Sequence, residues 1–114
     1  MLNSGDVVQL DLGLPSGREA GFRHPAVVVT AQRILDAGPN VVHVVPLTST
    51  IRRFGSEVRL DPDPSNGLEQ PSAAQCQHLR AVSTGRIERV CGNIGVQALT
   101  QVREVITVIL DLSR

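Results

Sequence analysis

The sequence has no tryptophan, no tyrosine and only two phenylalanines, Phe22 and Phe54. That scarcity argues against a surface that stacks bases on aromatic rings, as RRM and OB domains do. Lysine is also absent: all 11 cations are arginine, matched by 11 acidic residues for a net charge of zero. A neutral chain does not grip nucleic acid by bulk charge. Arginine alone suits bidentate contacts to phosphate or carboxylate, and codon bias in a GC-rich genome yields the same composition. The two cysteines, Cys76 and Cys91, are too few for a disulfide framework and lack CxxC spacing, so both read as small buried residues. No apolar run reaches the length of a bilayer span, and Met1–Asp6 has neither a basic n-region nor an apolar h-region. The expectation is a soluble cytoplasmic protein. Its 114 residues allow one domain over 1–114, and 41% apolar residues are enough for a core.

What is present is mostly short and β-branched. Residues Val7–Leu12 alternate from Val8 like a strand with one wet face. The segment 25–30 is a continuous apolar run, as is 41–47, and both predict strands buried on two faces. Residues 31–35 predict a helical turn, and Glu57–Leu60 a short strand. The Pro- and Asn-Gly-containing stretch 61–67 excludes helix and central strand. One further strand is expected over 73–82, with Cys76, His78, Arg80 and Val82 on one face. From Val96 onward, Leu99, Val102, Ile106 and Ile109 recur at helical spacing, which predicts a terminal helix after a Gly95 cap and ending near Leu112. Five or six strands and one helix predict a mainly β (α+β) fold: a small, strongly curved antiparallel sheet or barrel closed on one side by the helix.

Chemistry is concentrated in three places. Arg23-His24-Pro25 lies at the entry to an apolar strand. Thr48-Ser49-Thr50 follows another and offers three hydroxyls suited to phosphate oxygens. Gln75 to Arg80 is a polar row of amides, His78 and an arginine; it suits base edges or phosphate, or simply the wet face of a strand. His43, among valines, reads as a hydrogen-bonded core histidine. The three histidines lack HExxH or paired HxH spacing, so no metal site is expected. No glycine-rich nucleotide loop and no Gly-x-Ser-x-Gly elbow occurs, so no cofactor is expected.

In order along the chain, five segments resemble the MazF/PemK family of toxin endoribonucleases. They are Gly5–Gly13, Gly17-Arg18-Glu19 through Arg23–Val29, Val45–Ser49, Asn66–Ser72 and Gln77–Val82. The resemblance implies an SH3-like antiparallel barrel of the CcdB/Kid/MazF kind with a C-terminal helix, assembled as a homodimer. It implies metal-independent cutting of single-stranded mRNA at short sequences, leaving 2′,3′-cyclic phosphate and 5′-OH ends, and a cognate antitoxin as partner. Where the family has arginine before proline, this chain has His24, with Arg23 one step earlier. Thr48 matches the family's strand-end threonine. Arg23, His24 and Thr48 are therefore the implied catalytic set. Gln77 stands where the family has an aspartate, and an amide cannot act as a carboxylate base. Arg18, Ser49, Arg52, Arg53, Gln77 and Arg80 are the implied RNA-binding residues. Two other readings compete: a gyrase-poisoning toxin of the same fold, and a non-catalytic SH3-like binding module.

Overall fold

A computed structural model describes residues 1–12 and 23–113 of the chain. Among them the strands are β1 (Asp6–Asp11), β2 (Arg23–Val28), β3 (Val41–Thr48), β4 (Glu57–Leu60), β5 (Ser72–Gln75), β6 (Arg80–Ser83) and β7 (Ile87–Asn93). Two helices join them: a single turn, α1 (Gln32–Leu35), and the terminal α2 (Gly95–Ile109). The hydrogen-bonded order is β4-β5-β3-β2-β1-β7, with β6 also on β3. Every pairing is antiparallel.

Strand β3 organises the sheet because it is long enough to hold two partners along one edge. Its first half pairs with β6, from Val41↔Ser83 to Val44↔Arg80. Its end pairs with β5, at Leu47↔Ala74 and Thr48↔Ala73. The expected single strand over 73–82 is therefore two strands, separated by a 3₁₀ turn at Cys76–His78. The turn breaks the period of two, so Cys76 and Val82 are buried while His78 and Arg80 are exposed. Strand β7 was not apparent in the sequence. It carries Glu88, Arg89 and Gly92, and its pairing with β1 shifts register twice, which removes any steady alternation.

The strands bury both faces near the middle of the sheet. One face sends Val7, Val27, Val45 and Leu47 into a cluster with Leu99 and Val102 of α2. The other sends Val8, Leu10, Ala26, Val28, Val42 and Val44 against Leu35 and Val82. Burying a side chain of this size contributes roughly 1.5–3 kcal/mol. Helix α2 covers only part of its face. Hence His43, expected in the core, is exposed along with Val41, and its backbone N–H donates to Thr30 Oγ1 at 2.8 Å. At the end of α2 the apolar stripe outruns the sheet, leaving Ile109 and Val108 exposed. Gly95 is the first helical residue rather than the cap, which is Ile94. Arg103 anchors the helix, its Nη2 donating to Val29 O at 3.1 Å and Ser4 Oγ at 3.2 Å.

The Pro-rich stretch forms the expected turn and packs against β7 at bare backbone. A Cβ on Gly92 would lie 2.5 Å from Ser65 O and from Asn66 C. Gly55, by contrast, has nothing within 4 Å of such a Cβ. Gly92→Ala is accordingly expected to destabilise the fold by about 2 kcal/mol or more, whereas Gly55→Ala stays within ~1 kcal/mol of the parent. Denaturant unfolding of the two variants measures this, and equal midpoints would contradict the close approach.

Candidate active site

The β2–β3 ladder runs Val28↔Val44, Val27↔Val45 and Ala26↔Pro46, and then stops. The Val29 N–H donates to His43 O, so alternate residues of β2 face β3, and Pro25, two pairs further on, carries no N–H to extend the ladder. Beyond that point β2 stays with β1 and β3 turns to β5. A cleft of about 330 Å³ occupies the parting, lined by His24, Pro25, Leu47, Thr48, Ser49, Gln70 and Ser72. Continuing the register past Ala26↔Pro46 sets His24 across from Thr48. Residues 26, 28, 44 and 82 share the face of His24 by alternation, and Arg80, paired with Val44, joins them.

His24 is half-buried, and burial lowers its pKa from the ordinary 6.5, against a hydrogen bond to the Leu47 backbone that raises it; the Arg80 charge lowers it further. The imidazole is thus held neutral at pH 7 with a free lone pair, the form a general base requires. Thr48 Oγ1 accepts from Thr50 N–H at 3.1 Å, which leaves the hydroxyl hydrogen for another acceptor. Ser49 is exposed at the rim.

Arg23 takes a different course. Arg23 is not in the lining of the cleft, and its Nε pairs instead with Glu88 Oε1 at 3.2 Å. Both groups are substantially exposed, so the pair contributes little to stability. Arg52 and Arg53 are exposed on the loop between β3 and β4, with Arg53 in the left-handed region at φ 60°. Gln77 is exposed in the 3₁₀ turn. Arg18 lies outside the described residues. Gln70 and Ser72 were missed as site residues by sequence reasoning, since the loop before β5 and the first residue of β5 lie 22 or more residues from Thr48 and only the Thr48↔Ala73 pairing brings them in.

Other reactive groups are unsuited to chemistry. Burial pushes the Cys76 thiol up to about 11, so it is no thiolate nucleophile at neutral pH. Among the described residues, no three His, Cys, Asp or Glu side chains gather as a metal ion would require.

Residues 3–110 match the family model described as the PemK-like, MazF-like toxin of type II toxin–antitoxin systems. The chain belongs to this family. It is 33% identical to Endoribonuclease MazF9 of Mycobacterium tuberculosis over 98% of each chain. Its fold is also that of the M. tuberculosis toxin MazF-mt6, with a TM-score of 0.77 at 23% identity, covering 96% of this chain and 99% of that one. The MazE–MazF structure from Deinococcus radiodurans is similar, with a TM-score of 0.78 at 22% identity over 98% and 97% of the two chains. The expected mainly antiparallel fold with a C-terminal helix is thus the MazF fold. Within that fold, the cleft of this MazF-family chain has a histidine opposite its threonine.

A depressed histidine pKa links pH to stability. Below 6.5 the unfolded chain binds a proton at residue 24 that the folded chain resists. Stability from this group is therefore full above 6.5 and is lost as pH falls from there toward the lowered folded value. His24→Gln is expected to flatten this part of the dependence, read as the parent-minus-variant difference in unfolding free energy between pH 7.5 and pH 5. Arg80→Gln is expected to raise the His24 pKa by removing a like charge, which NMR titration of the imidazole detects. An unmoved titration would place Arg80 outside electrostatic reach.

Proposed function

We propose that this chain is a toxin endoribonuclease that cuts single-stranded mRNA through its own 2′-hydroxyl and so arrests translation in the cytoplasm. The observation that carries the reading is a neutral, half-buried His24 facing Thr48 across a cleft, with Arg80 close enough to depress its pKa. The curated relative's name, Endoribonuclease MazF9, supports it. In the reaction, His24 takes the 2′-OH proton and the 2′-oxygen bonds to the adjacent phosphorus. The P–O5′ bond breaks, and the leaving oxygen takes a proton from solvent to become a 5′-OH. Thr48 and Ser49 donate to non-bridging oxygens, and Arg80 offsets the charge that builds on the phosphorane. Base, donors and cation are all side chains, so the proposal needs no metal.

Arg23 would leave its exposed partner Glu88 to meet an RNA phosphate, joined by Arg18, Arg52, Arg53 and Gln77 along the strand. A single-stranded substrate fits, since unstacked bases expose their edges. Exposed Phe54, Val108, Ile109, Leu110 and Leu112 favour protein partners, for which the proposal names a second copy of this chain and a cognate antitoxin. The D. radiodurans relative is solved together with MazE.

Purified protein is expected to cut an unstructured RNA in EDTA and leave ends that polynucleotide kinase labels without prior phosphatase treatment. An intact RNA pool of diverse sequence would overturn the proposal, and gyrase-dependent DNA breaks with intact RNA would support the gyrase-poison reading instead. His24→Ala is expected to slow cutting by about 10²-fold or more, while Arg23→Ala raises KM more than it lowers kcat. The acid limb of kcat/KM for the parent should lie below 6.5, because the base must be deprotonated and its pKa is lowered.

A further inference from the structure

Two polar side chains of the cleft, Gln70 and Ser72, are not used by the proposed reaction, and the Ser72 hydroxyl is already engaged with Gln70 O. Gln70 lines the same cleft as His24, on the loop that leads into β5. Its backbone is held on the side that leads into β5. The Ser72 hydroxyl donates to Gln70 O at 3.0 Å, Pro71 fixes the backbone between them, and Ala73 is paired with Thr48. The side chain is exposed, and among the described residues no hydrogen bond engages its amide. A positioned backbone carrying an uncommitted amide is the arrangement of a reading group rather than of a structural one.

An amide presents a donor and an acceptor side by side, so both its groups are satisfied by the mixed donor–acceptor edge of a base, whereas a phosphate, with acceptors only, engages just the donor. Adenine, with its N6 amino group beside N7, is the base that glutamine pairs bidentately. The chain lacks tryptophan and tyrosine, so stacking on large rings contributes little and hydrogen bonds must carry discrimination. A cleft of about 330 Å³ is at the small end of the range for small-molecule sites, roughly 300–1,000 Å³.

We infer that Gln70 is a specificity-determining residue: its amide reads the base next to the scissile phosphate, with adenine the favoured partner. The inference rests on the ribonuclease reading above. It concerns which RNA is cut, not how the bond breaks, and the two fail differently.

The test sequences the 5′ ends produced from a randomised RNA pool by the parent, Gln70→Ala and Gln70→Glu. The parent should show a preference for adenine at a position flanking the cut. In Gln70→Ala that one preference should fall about tenfold, within the range a bidentate contact provides, while total cutting stays within several-fold. In Gln70→Glu, which only accepts, preference should move toward bases that offer a donor there, such as cytosine through N4. An unchanged profile in Gln70→Ala, or a loss spread evenly over every position, overturns the inference even though cutting persists. If the parent cuts no RNA, the ribonuclease reading fails. Binding to a randomised 2′-O-methyl oligonucleotide pool, which cannot be cut, then still tests Gln70: loss of selection at a single position in Gln70→Ala supports it, and unchanged selection overturns it.

Discussion

Everything at the site depends on where the β2–β3 ladder ends. Pro25 removes the donor that would carry it further, so the ladder closes at Ala26↔Pro46. Had it continued, His24 and Thr48 would be neighbours in an unbroken sheet. Instead β2 follows β1, β3 follows β5, and the gap becomes the cleft. The well-packed valines behind it, Val27, Val28, Val44 and Val45, are fully buried and hold both strand ends rigidly. A cleft made by parting strands has walls that need no closure to be positioned.

Electrostatics then follow from the fold. Partial burial of His24 disfavours the imidazolium, and Arg80 works in the same direction because β6 places it on the same face of β3. The same arginine that would stabilise an anionic phosphorane also keeps the proposed base deprotonated before substrate arrives. This double use resolves the apparent conflict between zero net charge and an RNA substrate. In the proposed function the charge that acts is local, carried by Arg80 within electrostatic reach of His24 and by Arg52 and Arg53 on the loop between β3 and β4.

Much of the fold was legible in the chain. The apolar runs of β2 and β3, the alternation of β1, the short β4 and the 3.6-residue period of α2 appeared close to where they were expected. The failures share a cause. β7 is half-exposed, charged and twice bulged against β1, so its pattern reflects irregular pairing rather than a period of two. The segment 73–82 alternates by residue type, but a 3₁₀ turn at Cys76–His78 lets it serve two stretches of β3, a division set by β3 and not by the segment itself. His43 lies among valines yet faces outward, because α2 does not extend over that end of the sheet.

The sequence by itself determined the family resemblance, the scarcity of stacking aromatics and the residues available for chemistry. It left Arg23 and His24 side by side, with no means of saying which one enters the cleft. Tertiary structure decided that: β2 and β3 part beside His24, while Arg23 pairs with Glu88 of β7 and stays out of the lining. It also brought Gln70, Ser72 and Arg80 to a site begun at residue 24. Their proximity arises from antiparallel register between strands distant in the chain, and no local pattern of residues encodes that distance.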